Sequence, residues 1–155
     1  MNVVTRFGEI EIEEKSCIHL KDGLVGIPQA KRFCLLSHRE DSPFLWLQCL
    51  DEPALSLAVI NPMDFFNDYE FDLQDADVEA LELTSAEDAV VLTTVTVDEE
   101  RRVTTNLLGP IVVNRRTLAA KQVVLSSENY SPRHLLFQLK RQPEGAAKEA
   151  GSRAA

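Results

Sequence analysis

Gly109-Pro110 splits a run of strand-forming residues in two, and no other feature constrains the fold as much. The run reads Thr104-Thr105-Asn106-Leu107-Leu108-Gly109-Pro110-Ile111-Val112-Val113-Asn114. Proline has no backbone N–H to give a sheet, and glycine tolerates dihedrals that other residues avoid. The expectation is a strand that stops, turns or bulges after Leu108 and resumes at Ile111. Two further β-rich runs flank it, at residues 89–97 and 122–125. An asparagine stands near each end. Packing is the expectation for Asn114, and contact with a partner for Asn106.

The β pattern continues upstream. Glu9-Ile10-Glu11-Ile12-Glu13 alternates strictly, as a strand with one wet and one buried face does. Val3-Val4-Thr5 precedes it across a turn at Phe7-Gly8. Residues 17–20, 33–37, 44–49 and 55–60 read as further strands, with Asp41-Ser42-Pro43 and Asp51-Glu52-Pro53 as turns. Strands recurring at this interval point to an antiparallel sandwich or barrel. Trp46, mid-strand, is expected in the core. So are Cys17, Cys34 and Cys49, which lie in apolar stretches without a CxxC pair.

Two helices are expected. Val78 and Leu81 recur at helical spacing, so one covers residues 75–81. Ser131-Pro132 has the chemistry of a helix start, with Leu135, Leu136 and Leu139 on one face beyond it. Ser85-Ala86-Glu87-Asp88 has capping-box form but leaves room for a single turn before the next strand. The fold class is therefore mainly β: a compact antiparallel β-barrel-like or sandwich domain with one or two short helices. Residues 1–141 form that single domain and residues 142–155 a disordered tail. At 155 residues such a chain buries enough surface for a core without staples.

Charge is distributed unevenly. The net charge is −9, yet residues 40–100 contain no lysine or arginine and hold 17 of the 25 acidic residues. The rest carries 8 acids and all 16 bases. The segment's −17 argues against direct nucleic-acid binding, which depends on cations that neutralise phosphate. It favours a basic partner drawn in by electrostatic steering. The alternative is that the acids merely solubilise one face. Inside the segment, Asn61-Pro62-Met63-Asp64-Phe65-Phe66-Asn67-Asp68-Tyr69 mixes large apolar side chains with acids. It reads either as a cover over the sheet or as a contact patch, with cover slightly favoured.

Motifs for catalysis are missing. His19, His38 and His134 lack ligand spacing, and there is no nucleophile elbow, Walker loop or dinucleotide fingerprint. Gly23-Leu24-Val25-Gly26 matches the GXXG loop that clamps nucleic acid in KH modules. Its middle residues are apolar and no helices flank it, so a tight turn is the better reading. No cofactor or metal is expected, and no run is long enough to cross a membrane as a helix. The N-terminus has no signal-peptide core, so the expected location is the cytoplasm.

Several stretches in order resemble the flagellar assembly factor FliW family, from Phe7-Gly8 to about Tyr130. They are Gly23-Leu24-Val25-Gly26, Trp46-Leu47-Gln48 with Asp51 and Pro53, and Asn61-Pro62 through Tyr69. The most specific are Asn106 through Asn114 and Gln122-Val123-Val124-Leu125. Where the family usually has Phe, Ala and often Gly, this chain has Ile27, Gly109 and Lys121. The resemblance implies a compact, barrel-like β fold without catalysis, and two protein partners. One is flagellin, protected or sensed in a chaperone-like way before export. The other is CsrA, the small dimeric translational repressor, bound when flagellin is scarce and antagonised away from its RNA surface. A basic, RNA-binding partner suits the −17 segment.

On these grounds the acidic stretch 64–88, with Asp75 and Glu79, is expected to steer and contact CsrA. Flagellin is expected on exposed members of Phe65, Phe66 and Tyr69, or around Asn106 and Leu107. The free protein is expected to be monomeric. The competing readings are a small ligand-binding β-barrel or enzyme, which requires a deep polar pocket, and an RNA-binding barrel, which requires a basic groove with stacking aromatics.

Overall fold

The computed structural model describes residues 2–37 and 39–140, so the 142–155 tail lies outside the described residues. Among the described residues the β-rich runs form eleven strands. They are β1 (Asn2–Thr5), β2 (Gly8–Glu11), β3 (Ile18–Leu20), β4 (Arg32–Leu36), β5 (Leu45–Cys49) and β6 (Ser56–Ile60), then β7 (Ala89–Val97), β8 (Arg102–Thr105), β9 (Ile111–Asn114), β10 (Ala119–Gln122) and β11 (His134–Gln138). One short helix, α1 (Asp75–Ala80), lies between β6 and β7. Seven strands close into a barrel in the order β7-β6-β5-β4-β3-β10-β9, with β9 returning to β7. Every pair in the ring is antiparallel except β3 with β10. β1 and β2 make a separate hairpin.

The break at Gly109-Pro110 is what lets the ring close. β9 pairs with the first half of β7, from Ala89↔Asn114 to Leu92↔Ile111. β8 pairs with the second half, from Val95↔Thr105 to Val97↔Val103. β8 and β9 are therefore one interrupted strand along a single edge of β7. Residues 106–110 stand against only Thr93 and Thr94, so the strand bulges there, then resumes as expected. Asn106 Oδ1 accepts from Leu108 N at 3.1 Å and closes the turn. The Gln122 side chain ties the bulge to a second loop: its amide nitrogen donates to Gly109 O (3.0 Å), and its oxygen accepts from Val25 N (2.8 Å).

The barrel interior is filled. Phe33, Leu20, Leu47, Val59, Leu92 and Ile111 are buried there, each stabilising the fold by roughly 1.5–3 kcal/mol. β7 and β9 are apolar on their outer faces too, which calls for a second layer. Val112, with Ala89 beside it, packs outward against Leu81 and Val123, with Phe71, Leu73 and Leu83 around them. α1 and the chain before it thus form a cap over one side of the barrel. The three cysteines are buried and free, and burial raises the thiol pKa of Cys17 and Cys34.

Three expectations need correction. Residues 134–138 form a strand rather than a helix. Ser131 Oγ does accept from Arg133 N (3.1 Å), but β8 projects beyond the barrel with an open edge and β11 pairs with it, through a bulge between Leu135 and Phe137. The strand expected at 122–125 lies mainly upstream, at β10. Ala119 and Ala120 lack β-branching, yet they lie beside His19 and Leu20; Val123 N and Leu125 N bond individually to Pro110 O and Leu108 O (2.8 Å each). Trp46 is half-buried on the outside of β5 rather than in the core, with Phe7 edge-on at 5.3 Å and Arg6 over its ring.

Candidate partner-binding surface

The cap carries the candidate site. Its first turn, Pro62–Asp64, starts where proline ends β6, and Asn61 caps it by accepting from Met63 N at 3.0 Å. Tyr69 then anchors the chain. Its ring is 3% exposed, its hydroxyl donates to Leu107 O at 2.8 Å, and Tyr130 packs edge-on at 4.8 Å. The Tyr130 hydroxyl accepts from Glu70 N at 3.0 Å. α1 is pinned from below by Asp77, the one buried residue of the helix, which pairs with Lys121 Nζ at 2.5 Å. That bond raises the lysine's pKa. Asn114 completes the fixing. Its Nδ2 donates to Leu81 O (2.8 Å) and Glu82 O (3.3 Å), and its Oδ1 accepts from Arg116 N (2.9 Å).

Burial pushes the Tyr69 pKa up, and the neighbouring Tyr130 adds to the shift. The folded state therefore holds this phenol neutral, while the unfolded chain ionises near pH 10. Its contribution is complete below that pH and is lost as pH rises above it. Tyr69→Phe, which leaves Leu107 O without its donor, should cost about 1 kcal/mol at neutral pH. It should also flatten the decline in denaturant midpoint between pH 9 and 11; an unchanged decline would remove Tyr69 as its source.

Between the cap and the barrel runs an open groove of about 480 Å³. Its accessible wall is largely apolar, made by Ala89 and Val91 of the barrel together with Phe71, Leu73 and Met63; Tyr69 and Val112 border it but are buried. Glu70 and Asp72 also line it, and no lysine or arginine does. Asp75 and Glu79 are exposed on α1. Cations from outside the acidic segment return to pair with Asp77, Asp88 and Asp98. Among the described residues, the other acids between Asp64 and Glu87 have no ion pair. Their field points outward. Among the described residues no cluster of His, Cys, Asp or Glu could hold a metal.

The expected site residues fall into three groups. Asp75 and Glu79 lie on the acidic cap. Phe65 and Phe66 are half-buried on a neighbouring aromatic surface: Phe65 lies 6.1 Å from Phe44, which meets Phe137 at 6.2 Å, and Phe66 lies 5.0 Å from His134. Tyr69 and Leu107 are 3% and 1% exposed, so both stand behind the surface rather than on it; the hydroxyl–carbonyl bond between them explains why. Asn106 is half-buried, with its side-chain oxygen used inside its own turn. Sequence reasoning missed the groove floor and Phe44, Leu135 and Phe137. The signal for the floor was present in Ala89-Val90-Val91-Leu92, whose unbroken apolar run requires cover on both faces.

The arrangement is a closed β-barrel with a filled interior and an acid-lined external groove. The pattern that defines the FliW protein family matches residues 3–136. A flagellar assembly factor FliW of Magnetococcus marinus is 45% identical over 135 residues, covering 86% of this chain and 82% of its own. One of Bacillus licheniformis is 44% identical over 132 residues, covering 84% and 92%. A crystal structure of the flagellar assembly factor FliW superposes with a TM-score of 0.82 at 36% identity, over 91% of this chain and all of that one. The chain belongs to the FliW family.

Proposed function

We propose that this protein is a non-catalytic, cytoplasmic flagellar assembly factor that binds flagellin and, when flagellin is scarce, binds CsrA and antagonises it. It acts by protein–protein contact, coupling flagellin translation to assembly, and is monomeric when free. The observation that carries this reading is the outward-facing run of unpaired acids around an apolar groove. It suits a basic protein better than a nucleic acid or a membrane surface. The filled barrel counts against a ligand enclosed within it.

The acids of the cap steer CsrA. Reversing Asp75 and Glu79 together to lysine should slow association by about tenfold or more at low salt and flatten its salt dependence. Stopped-flow traces that match wild type at every ionic strength would remove steering from the account. Flagellin docks on the aromatic surface. Phe65→Ala with Phe66→Ala should weaken flagellin by at least tenfold, in the range of interface hot spots, with CsrA binding retained. Full flagellin affinity in a folded double variant places that partner elsewhere. Co-purification with flagellin and CsrA, separately and together, tests the whole reading: each should be retained alone, and excess flagellin should release CsrA.

A further inference from the structure

Residues 70–74 alternate outward and inward. Glu70, Asp72 and Gln74 are exposed, whereas Phe71 and Leu73 are half-buried against the second core. Gln74 is extended, with φ −69° and ψ 152°. The burial alternates as it does along a strand, yet no strand pairs with this segment. Among the described residues, no backbone hydrogen bond is made by the N–H or C=O of Phe71, Asp72 or Leu73. The neighbours on either side are bonded: Glu70 N donates to Tyr130, and Gln74 O accepts from Asp77 and Val78. Unpaired backbone in an extended conformation is a template for another strand. Here it borders an apolar groove lined by carboxylates and no cations.

We propose that residues 71–73 are a strand-acceptor site for an extended segment of the protein partner that carries lysine or arginine. The incoming backbone pairs with Phe71, Asp72 and Leu73. Alternate side chains of a strand point to opposite faces, so apolar residues enter the groove beside Val91 and Ala89 while the intervening cations face Glu70 and Asp72. Strand addition gives affinity through the main chain and selectivity through the groove. An acidic or uncharged segment of the same shape meets uncompensated carboxylates. This site rests on the reading of the acidic cap as the CsrA surface and specifies how that surface is used.

Amide hydrogen exchange with CsrA as the probe decides it. In the free protein the amides of residues 71–73 should exchange like those of an open segment; in the complex they should slow by roughly a hundredfold. Ala86→Trp fills the groove from an exposed position and should weaken CsrA by at least tenfold through faster dissociation. Asp72→Lys, on the surface, should do the same, while Asp75→Lys with Glu79→Lys changes mainly the association rate. CsrA bound tightly with residues 71–73 exchanging as in the free protein overturns strand addition and leaves the partner reading standing. Protection of these amides by flagellin but not by CsrA overturns the basic-partner assignment. A wild-type protein that does not bind CsrA overturns both.

Discussion

Asn114→Ala should lower stability by about 3 kcal/mol, or roughly 6–12 °C in Tm for a domain of this size. The side chain is fully buried and forms a bridge. It holds the carbonyls of Leu81 and Glu82 at the end of the α1 segment, and on its other side the N–H of Arg116 and, at 3.4 Å, of Thr117. Alanine leaves several of these groups without partners, each costing about 1–3 kcal/mol when buried. Asn114→Asp should not rescue, because its carboxylate faces two carbonyl oxygens. The loss is concentrated on the cap, so CsrA affinity should fall more steeply than stability alone implies. A Tm within 3 °C of wild type would mean that the cap is held by its apolar contacts without this bridge.

Gly23→Ala should cost at least about 3 kcal/mol. Gly23 has φ +71°, a conformation that L side chains rarely adopt, and a Cβ there would meet the backbone carbonyl of Pro28. Backbone cannot swing aside as a side chain does, so the whole 23–28 loop would have to shift. That loop is tied to the bulge through Gln122, and the displacement reaches the point where the barrel closes. Gly26→Ala is the internal control. Its φ is +87° but nothing lies within 4 Å of a Cβ, so it should lose only about 1 kcal/mol. Chemical denaturation of the two variants separates strain from collision; equal losses would show that Pro28 yields.

These positions also show how far the sequence could be read. Gly109-Pro110 announces an interrupted strand, and the interruption is where β8 and β9 part along β7. Alternation and turn chemistry locate β1 to β7 because each of those strands has at least one pairing partner close to it in sequence. β10 and β11 are harder. Ala119-Ala120 has no strand signal of its own and is held by a parallel partner a hundred residues earlier. Ser131-Pro132 carries a genuine capping signal, overridden because the edge of β8 offers five residues a ladder.

The candidate site divides the same way. The acids at Asp75 and Glu79 were legible because helical spacing placed Val78 and Leu81 inward and left them outside. Tyr69 and Leu107 looked like contact residues, but their mutual hydrogen bond is a tertiary fact with no local trace. Lys121 looked only like a departure from the family pattern. In the fold it pairs with Asp77 and anchors the acidic helix.

The most direct test of the central claim is release of RNA from CsrA. CsrA is first loaded with a labelled target messenger leader, and the protein is then titrated in at physiological salt with anisotropy as the readout. Wild type should release the RNA, and Asp72→Lys should require at least about tenfold more protein to do so. RNA that stays bound at saturating wild-type protein, or release by both proteins at the same concentration, would contradict the account.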